Sequence, residues 1–211
     1  MKLVIFGCPG SGKGSLAEML ARHLRIVHIS CGEIFRQSVK TGIPLGKSVE
    51  EYIKVGNLVP DEITANVIRE RLLQPDCKKG FILDGFPRTL CQAQSLDDIT
   101  DVDYVIQILA SCETVIARLA SRYICKKCQI IHNSRWDDTT KCRVCAGQLY
   151  QRDDDKACII QKRLDDYHAR FAPIMRHFES KGRKILTIGS KLCDTPEGQF
   201  AKFKELYGEL F

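Results

Sequence analysis

The sequence predicts an α/β fold, a five-stranded parallel sheet flanked by helices, and three observations carry that expectation. Short apolar runs alternate with stretches of helical periodicity along the chain. The first run passes directly into a glycine-rich turn and a helix. Two segments, 30–60 and 123–151, break the alternation and read as insertions. At 211 residues and 44% hydrophobic content, the chain can bury one core and carry such insertions on it.

Strands are expected at residues 3–6, 27–29, 81–83, 104–109 and 184–188, each short and apolar enough to lie in a parallel sheet covered on both faces. Helices are expected at 15–24 (from about Lys13), 33–40, 45–55, 61–73, 112–122, 157–180 and 196–207, with Asp61 and Thr195 as N-caps. There is no internal repeat and no low-complexity tract. The boundaries this suggests are a core of 1–29, 61–121 and 153–211, a first insertion of 30–60, and a second of 122–152.

The turn after the first strand reads Gly7-Cys8-Pro9-Gly10-Ser11-Gly12-Lys13-Gly14-Ser15. Glycines let the backbone curl so that successive N–H groups face inward, and the following helix adds its positive end. Lys13 adds a mobile cation. Such a loop binds the polyphosphate of a nucleotide. The hydroxyl that usually follows the lysine directly is displaced by one position, Gly14 intervening before Ser15. A second motif, Phe81-Ile82-Leu83-Asp84-Gly85-Phe86-Pro87-Arg88, places Asp84 at the carboxyl end of a strand, the edge where open α/β sheets bind ligands. There it can organise Mg²⁺ and its waters beside the glycine loop.

Cys125-x-x-Cys128 and Cys142-x-x-Cys145 are separated by 13 residues and form two knuckles able to give four thiolates to one tetrahedral ion. Zinc is preferred over iron, disulfides or unliganded thiols. Lys126, Lys127 and Arg143 offset the negative charge of the tetrathiolate, and His132 between the knuckles is expected to make a polar contact rather than to be a ligand. The insertion is too small to bury a core of its own, so the metal is read as structural. The other seven cysteines, Cys8, Cys31, Cys77, Cys91, Cys112, Cys158 and Cys193, show no pair spacing and are expected to be mostly small core residues.

The formal charge of +6 suits anionic ligands, but no Lys/Arg run is long enough to form a nucleic-acid tail. The apolar run behind Met1 and Lys2 is about five residues, short of the roughly seven to fifteen a signal peptide needs, and nothing approaches about 18 apolar residues in a row. A cytoplasmic, membrane-free protein is expected, and nothing demands more than a monomer.

Residues 7–15, Ser30-Cys31-Gly32-Glu33-Ile34-Phe35-Arg36, Asp84-Gly85-Phe86-Pro87-Arg88 with Gln92, Arg118 to Arg122, and Arg152 to Asp155 followed by Arg163 resemble the adenylate kinase family over nearly the whole chain. The cysteine-bearing insertion is similar to the lid of its long-lid, zinc-binding type, although the interval between knuckles is shorter than usual. The resemblance implies a P-loop nucleoside monophosphate kinase with two mobile insertions, catalysing Mg·ATP + AMP to two ADP. It implies ATP on Gly10, Ser11, Gly12, Lys13, Gly14 and Ser15, with Arg118, Arg122 and Gly189 also in the ATP site.

By the same resemblance the AMP site comprises Cys31, Arg36, Gly85, Arg88, Gln92, Arg152 and Arg163. Lys13, Arg88, Arg122, Arg152 and Arg163 are then the catalytic cations, and Asp154 and Asp155 the acidic pair that positions them. A planar guanidinium fork grips phosphate at two points and stays charged at any working pH. Cys31 stands where the family usually has threonine, a better hydrogen-bonding group. A UMP/CMP-type kinase is the alternative within the class, and a P-loop protein with a nucleic-acid-binding zinc knuckle the alternative outside it.

Overall fold

The computed structural model describes residues 1–210, except the side chain of Cys158, so the expectation for that cysteine lies outside the described residues. The chain runs β1 (Lys2–Gly7), α1 (Lys13–Leu24), β2 (Val27–Ser30), α2 (Cys31–Thr41), α3 (Pro44–Lys54), α4 (Asp61–Leu72), β3 (Phe81–Asp84) and α5 (Leu90–Ile99). It continues through β4 (Tyr104–Leu109), α6 (Cys112–Ala120), β5 (Arg122–Cys125), β6 (Ile131–Asn133), β7 (Leu149–Tyr150), α7 (Ala157–Ser180), β8 (Lys184–Gly189) and α8 (Pro196–Tyr207). Five strands form one parallel sheet in the order β2-β3-β1-β4-β8.

The alternation of side chains along β1 explains why this sheet needs helices on both faces. Val4 and Phe6 point into a core with Leu83, Val105 and Phe178. Leu3 and Ile5 point the other way, to Leu16, Leu20, Ile82, Ile106 and Phe203. A strand that is apolar at every position is stable only when both of its faces are buried. In register, Ile5 lies opposite both Asp84 and Ile106, so the glycine loop and Asp84 leave the sheet at the same edge.

Helices 157–180 and 196–207 fall where the periodicity puts them, and Thr195 caps the latter by accepting from Gly198 N–H at 3.1 Å. Four expectations are corrected. Asp61 is not the N-cap of α4; Pro60 holds that position and Asp61 is the first helical residue. Its carboxylate turns instead to Thr89 and Gln92, tertiary partners that replace the local N–H groups.

Helix α5 was not anticipated, because Leu90 is exposed and only Gln92, Ala93 and Leu96 make a narrow buried stripe. Its start is set by Thr89, whose hydroxyl accepts from Gln92 N–H at 3.1 Å. Helix α6 stops at Ala120, and Arg122 opens a strand, because the chain enters the three-stranded antiparallel sheet β6-β5-β7. These three strands lie in a segment rich in Cys, Lys, Asp and Thr, with no long apolar run to mark them. Of the unpaired cysteines, Cys8, Cys31 and Cys77 are buried as expected, but Cys91, Cys112 and Cys193 are exposed, their helices and loop turning them outward. No described helix is long and apolar enough to cross a membrane.

The first insertion is the hairpin of α2 and α3, and it closes on a glycine. A Cβ at Gly46 would lie 2.0 Å from the Ser38 carbonyl oxygen, so the helices pack backbone to backbone there. Gly46→Ala must push them apart, and overpacking of this kind costs about 1–3 kcal/mol. Urea unfolding should show that loss; an unchanged midpoint would mean that the hairpin tolerates separation.

Candidate active site

The glycine loop bends through Gly10 and Gly12, whose φ angles of 84° and 97° lie in the left-handed region. Side chains are excluded there as well, since a Cβ on Gly12 would lie 2.6 Å from Gln199 Oε1. Helix α1 begins at Lys13 without a side-chain cap, leaving its first N–H groups for a ligand. Burial pushes Lys13 down to about 8, against the raising effect of Asp84 and with further lowering by Arg88 and Arg163. A cation held under this penalty gains when phosphate arrives.

Asp84 is buried beside the loop, with a Cβ on Gly14 lying 3.3 Å from its Oδ2. That oxygen is 3.5 Å from His28 Nε2, while Oδ1 is buried without a hydrogen-bond partner. Burial acts to raise the Asp84 carboxyl, but His28, Lys13 and Arg88 outweigh it and hold it below the usual range. An ionised carboxylate with an orphaned oxygen beside a phosphate loop fits the water shell of Mg²⁺.

Five guanidinium groups join Lys13 around one volume. Arg122 grips Asp155 at two points, Nε to Oδ2 at 2.8 Å and Nη2 to Oδ1 at 2.5 Å. Arg163 pairs with Asp154 at 2.9 Å and donates to its carbonyl at 3.0 Å. Arg36 holds Glu33 through Nε at 3.2 Å and Nη2 at 3.0 Å, and Arg152 reaches the same carboxylate at 3.9 Å. Burial, with repulsion from Arg36 and Arg122, pushes Arg152 down to about 10. Arg88 makes no ion pair among the described residues; its Nε donates to Gly85 O at 2.8 Å.

Two cavities meet at Arg88 and Arg163. One is lined by Cys31, Arg36, Gly85, Arg88, Gln92 and Arg163, the other by Gly7, Pro9, Lys13, Arg88, Arg163 and Tyr167. Arg88 and Arg163 belong to both, so a group on the glycine loop and one in the first cavity face each other across them. The Cys31 thiol is buried, which pushes it up to about 11 and keeps it neutral.

Arg118 is more deeply engaged than its expected place in the ATP site suggests. Its guanidinium donates to Ser11 O at 3.1 Å, Ser190 Oγ at 2.8 Å, Lys191 O at 2.5 Å and Asp194 O at 3.2 Å. It ties the glycine loop to the turn that follows Gly189.

In the second insertion the four thiols converge. Cys125 Sγ lies 3.4 Å from Cys145 Sγ, Cys128 Sγ lies 3.5 Å from Cys142 Sγ, and all four atoms fall within 4.8 Å of one another. Both knuckles have the same backbone turn. Lys127 and Cys128 N–H point at Cys125 Sγ, Val144 N–H points at Cys142 Sγ, and each turn ends on a left-handed residue, Gln129 and Ala146. These amides, Cys128 N–H first, pull Cys125 down to about 6 against the opposing effect of burial. His132 is fully buried with Nε2 3.4 Å from Cys142 Sγ, the polar contact expected of it.

Sequence reasoning missed Glu33, His28, Asp61 and Thr89. The i,i+3 spacing of Glu33 and Arg36 was a usable signal. Thr89-x-x-Gln92 has the capping-box spacing and was a usable signal for a helix start, whereas the contacts of His28 and Asp61 run across elements and left none.

A phosphate loop at the end of the central strand, a second cavity under a helical hairpin and a ring of arginines between them define a P-loop nucleoside monophosphate kinase. The sequence model of the adenylate kinase family matches residues 5–183. The chain is 42% identical to an adenylate kinase of Caldicellulosiruptor saccharolyticus, over 92% of this chain and 95% of that one. It is 43% identical to an adenylate kinase of Acetivibrio thermocellus over 89% and 90% of the two chains, and 40% identical to one of a Geobacillus species over the full length of both. The chain belongs to the adenylate kinase family.

Arg118→Met is expected to lower the stability of the nucleotide-free protein by about 1–3 kcal/mol, since it strands buried acceptors. Denaturant unfolding without ligand checks this; a side chain serving only a nucleotide base would leave that stability unchanged.

Proposed function

We propose that Gly10, Ser11, Gly12, Lys13, Gly14 and Ser15 hold the ATP phosphates, with Arg118 and Gly189 toward its base. The cavity of Cys31, Arg36, Gly85, Arg88 and Gln92 then takes AMP. As a member of its family the chain is a phosphotransferase, and its reaction is Mg·ATP + AMP giving two ADP. The observation that carries the residue assignment is the sharing of Arg88 and Arg163 by both cavities.

The AMP phosphate is already an anionic nucleophile, so no general base is required. What remains is alignment of acceptor and donor, and neutralisation of the charge spread over the transferring group. Arg36 and Arg88 orient the acceptor phosphate, Lys13 attracts the donor's terminal phosphates, and Arg122, Arg152 and Arg163 surround the group in transit. Asp154 and Asp155 hold Arg163 and Arg122 at fixed angles, so little reorganisation is needed when substrate arrives. Asp84 and the Ser15 hydroxyl would hold, through its waters, the Mg²⁺ that comes with ATP, and the ion would supply further neutralisation of the phosphate oxygens.

Residues 30–60 and 122–152 are proposed as mobile covers over the core of 1–29, 61–121 and 153–211. Closing them excludes water, the competing acceptor. Each chain carries a full set of these groups, which supports a monomer as the working unit.

Cys125, Cys128, Cys142 and Cys145 are proposed to hold a structural Zn²⁺. A tetrahedron with Zn–S bonds of about 2.3 Å has edges of roughly 3.8 Å, which the observed sulfur separations bracket. Four thiolates require a reducing compartment, supporting the cytoplasm as its location. Chelation of the metal should lower Tm by about 6–12 °C if about 3 kcal/mol of net stabilisation is lost, at ~2–4 °C per kcal/mol for a chain of this size. Calorimetry with and without chelator tests this; an unchanged Tm would remove the structural role.

The reaction itself is tested by ADP formation from Mg·ATP with AMP, CMP, UMP and GMP offered separately. AMP should exceed each of the others in kcat/KM by about tenfold or more, roughly 1.4 kcal/mol of transition-state binding. A pyrimidine nucleotide winning would move the acceptor assignment; no acceptor raising turnover would remove the kinase reading.

A further inference from the structure

The carboxamide of Gln92 lines the acceptor cavity but is almost wholly buried, and half of its hydrogen-bonding capacity is committed within the protein. Nε2 donates to Asp61 Oδ1 at 2.8 Å, and Oε1 accepts from Arg88 N–H at 2.7 Å. An ionised carboxylate can only accept, and a backbone amide can only donate. Turning the carboxamide over would set oxygen against oxygen at Asp61 and N–H against N–H at Arg88, both in a buried place. Asp61 is itself anchored, since its Oδ2 accepts from the Thr89 hydroxyl at 2.8 Å while that hydroxyl accepts from Gln92 N–H. It opens α4, where the positive helix end favours a carboxylate.

We propose that Asp61 is a positioning residue that sets which purine the acceptor site reads, by locking Gln92 in one orientation. This rests on the reading of the Gln92 cavity as the acceptor site. A carboxamide offers two N–H donors and two lone pairs. With one of each spent on Asp61 and Arg88, one N–H and one lone pair remain, in fixed order.

That order matches an edge with a ring-nitrogen acceptor next to an amino donor, as in a 6-aminopurine. A 6-oxopurine presents the reverse, a ring N–H beside a carbonyl oxygen. An unlocked glutamine would serve both by flipping; the locked one opposes donor to donor and acceptor to acceptor. Cytosine carries the same pattern as a 6-aminopurine, so the lock reads chemistry rather than size, and purines are the proper test set.

The wild-type enzyme decides the matter first, through kcat/KM for AMP, IMP and purine riboside monophosphate, which keeps the N1 acceptor but has no 6-substituent. IMP should fall at least about tenfold below purine riboside monophosphate, because it is actively mismatched rather than merely missing a contact. IMP equal or superior to it would overturn the lock, with no variant needed. Asp61→Asn can turn either its donor or its acceptor to Gln92, and should raise IMP relative to AMP by about tenfold, the change falling on KM for the acceptor rather than on kcat. An unchanged AMP/IMP ratio in that variant also overturns the proposal.

Gln92→Ala separates the two readings. If it collapses the AMP/IMP ratio while Asp61→Asn does not, the base is read at Gln92 and only the lock fails. If the ratio survives in Gln92→Ala, the acceptor base is not read there, and the lock falls with that reading.

Discussion

Six cations held around one small volume repel one another, and the rest of the site is arranged to make that tolerable before substrate arrives. Among Lys13, Arg36, Arg88, Arg122, Arg152 and Arg163, burial first and repulsion from neighbouring cations second push Arg152 down to about 10 and Lys13 to about 8. Glu33, Asp84, Asp154 and Asp155 stand among them as internal counterions. The carboxylates stabilise the empty protein and fix the guanidinium planes. An incoming polyphosphate adds the negative charge that they leave unsupplied. Arg88, at the junction of the two cavities, and Lys13 are the two members of the set that form no ion pair among the described residues.

Such a charge cluster needs a rigid frame, and β1 provides it. Because its side chains fill cores on both faces, the glycine loop that follows cannot drift relative to Asp84, one strand away in register. Arg118 extends this rigidity sideways, tying the loop to the turn after β8. The insertions are held differently. The hairpin of α2 and α3 closes on backbone contact at Gly46, and the second insertion is organised by four sulfur atoms where a hydrophobic core is lacking. Both carry arginines at their margins, Arg36 on one side and Arg122 and Arg152 on the other, so in the proposed mechanism movement of either insertion opens or completes the cage.

The acceptor side shows a second use of buried polar groups. Asp61, Thr89, Gln92 and the Arg88 amide form a small closed network in which each donor has one acceptor. A network of this kind allows a single arrangement, because any inversion leaves like groups facing each other away from water. Cys31 lies in the same cavity as a neutral thiol with weak hydrogen-bonding power. On the proposed reading, selectivity therefore falls on the carboxamide.

By itself the sequence determined what depends on local order. The glycine loop, the strand ending in Asp84, the two cysteine knuckles, and the helices 157–180 and 196–207 were legible because their signals lie within a few residues or repeat with a helical period. The resemblance carried by Arg36, Arg88, Arg122, Arg152 and Arg163 named the cage but not its internal pairs. Only the tertiary structure decided that Asp155 holds Arg122, that Arg118 spans two loops, and that Asp61 leaves its helix cap to bind Thr89 and Gln92. These bonds join residues far apart in the chain, and a side chain with several possible partners takes the one that folding brings nearest. No spacing rule records that choice.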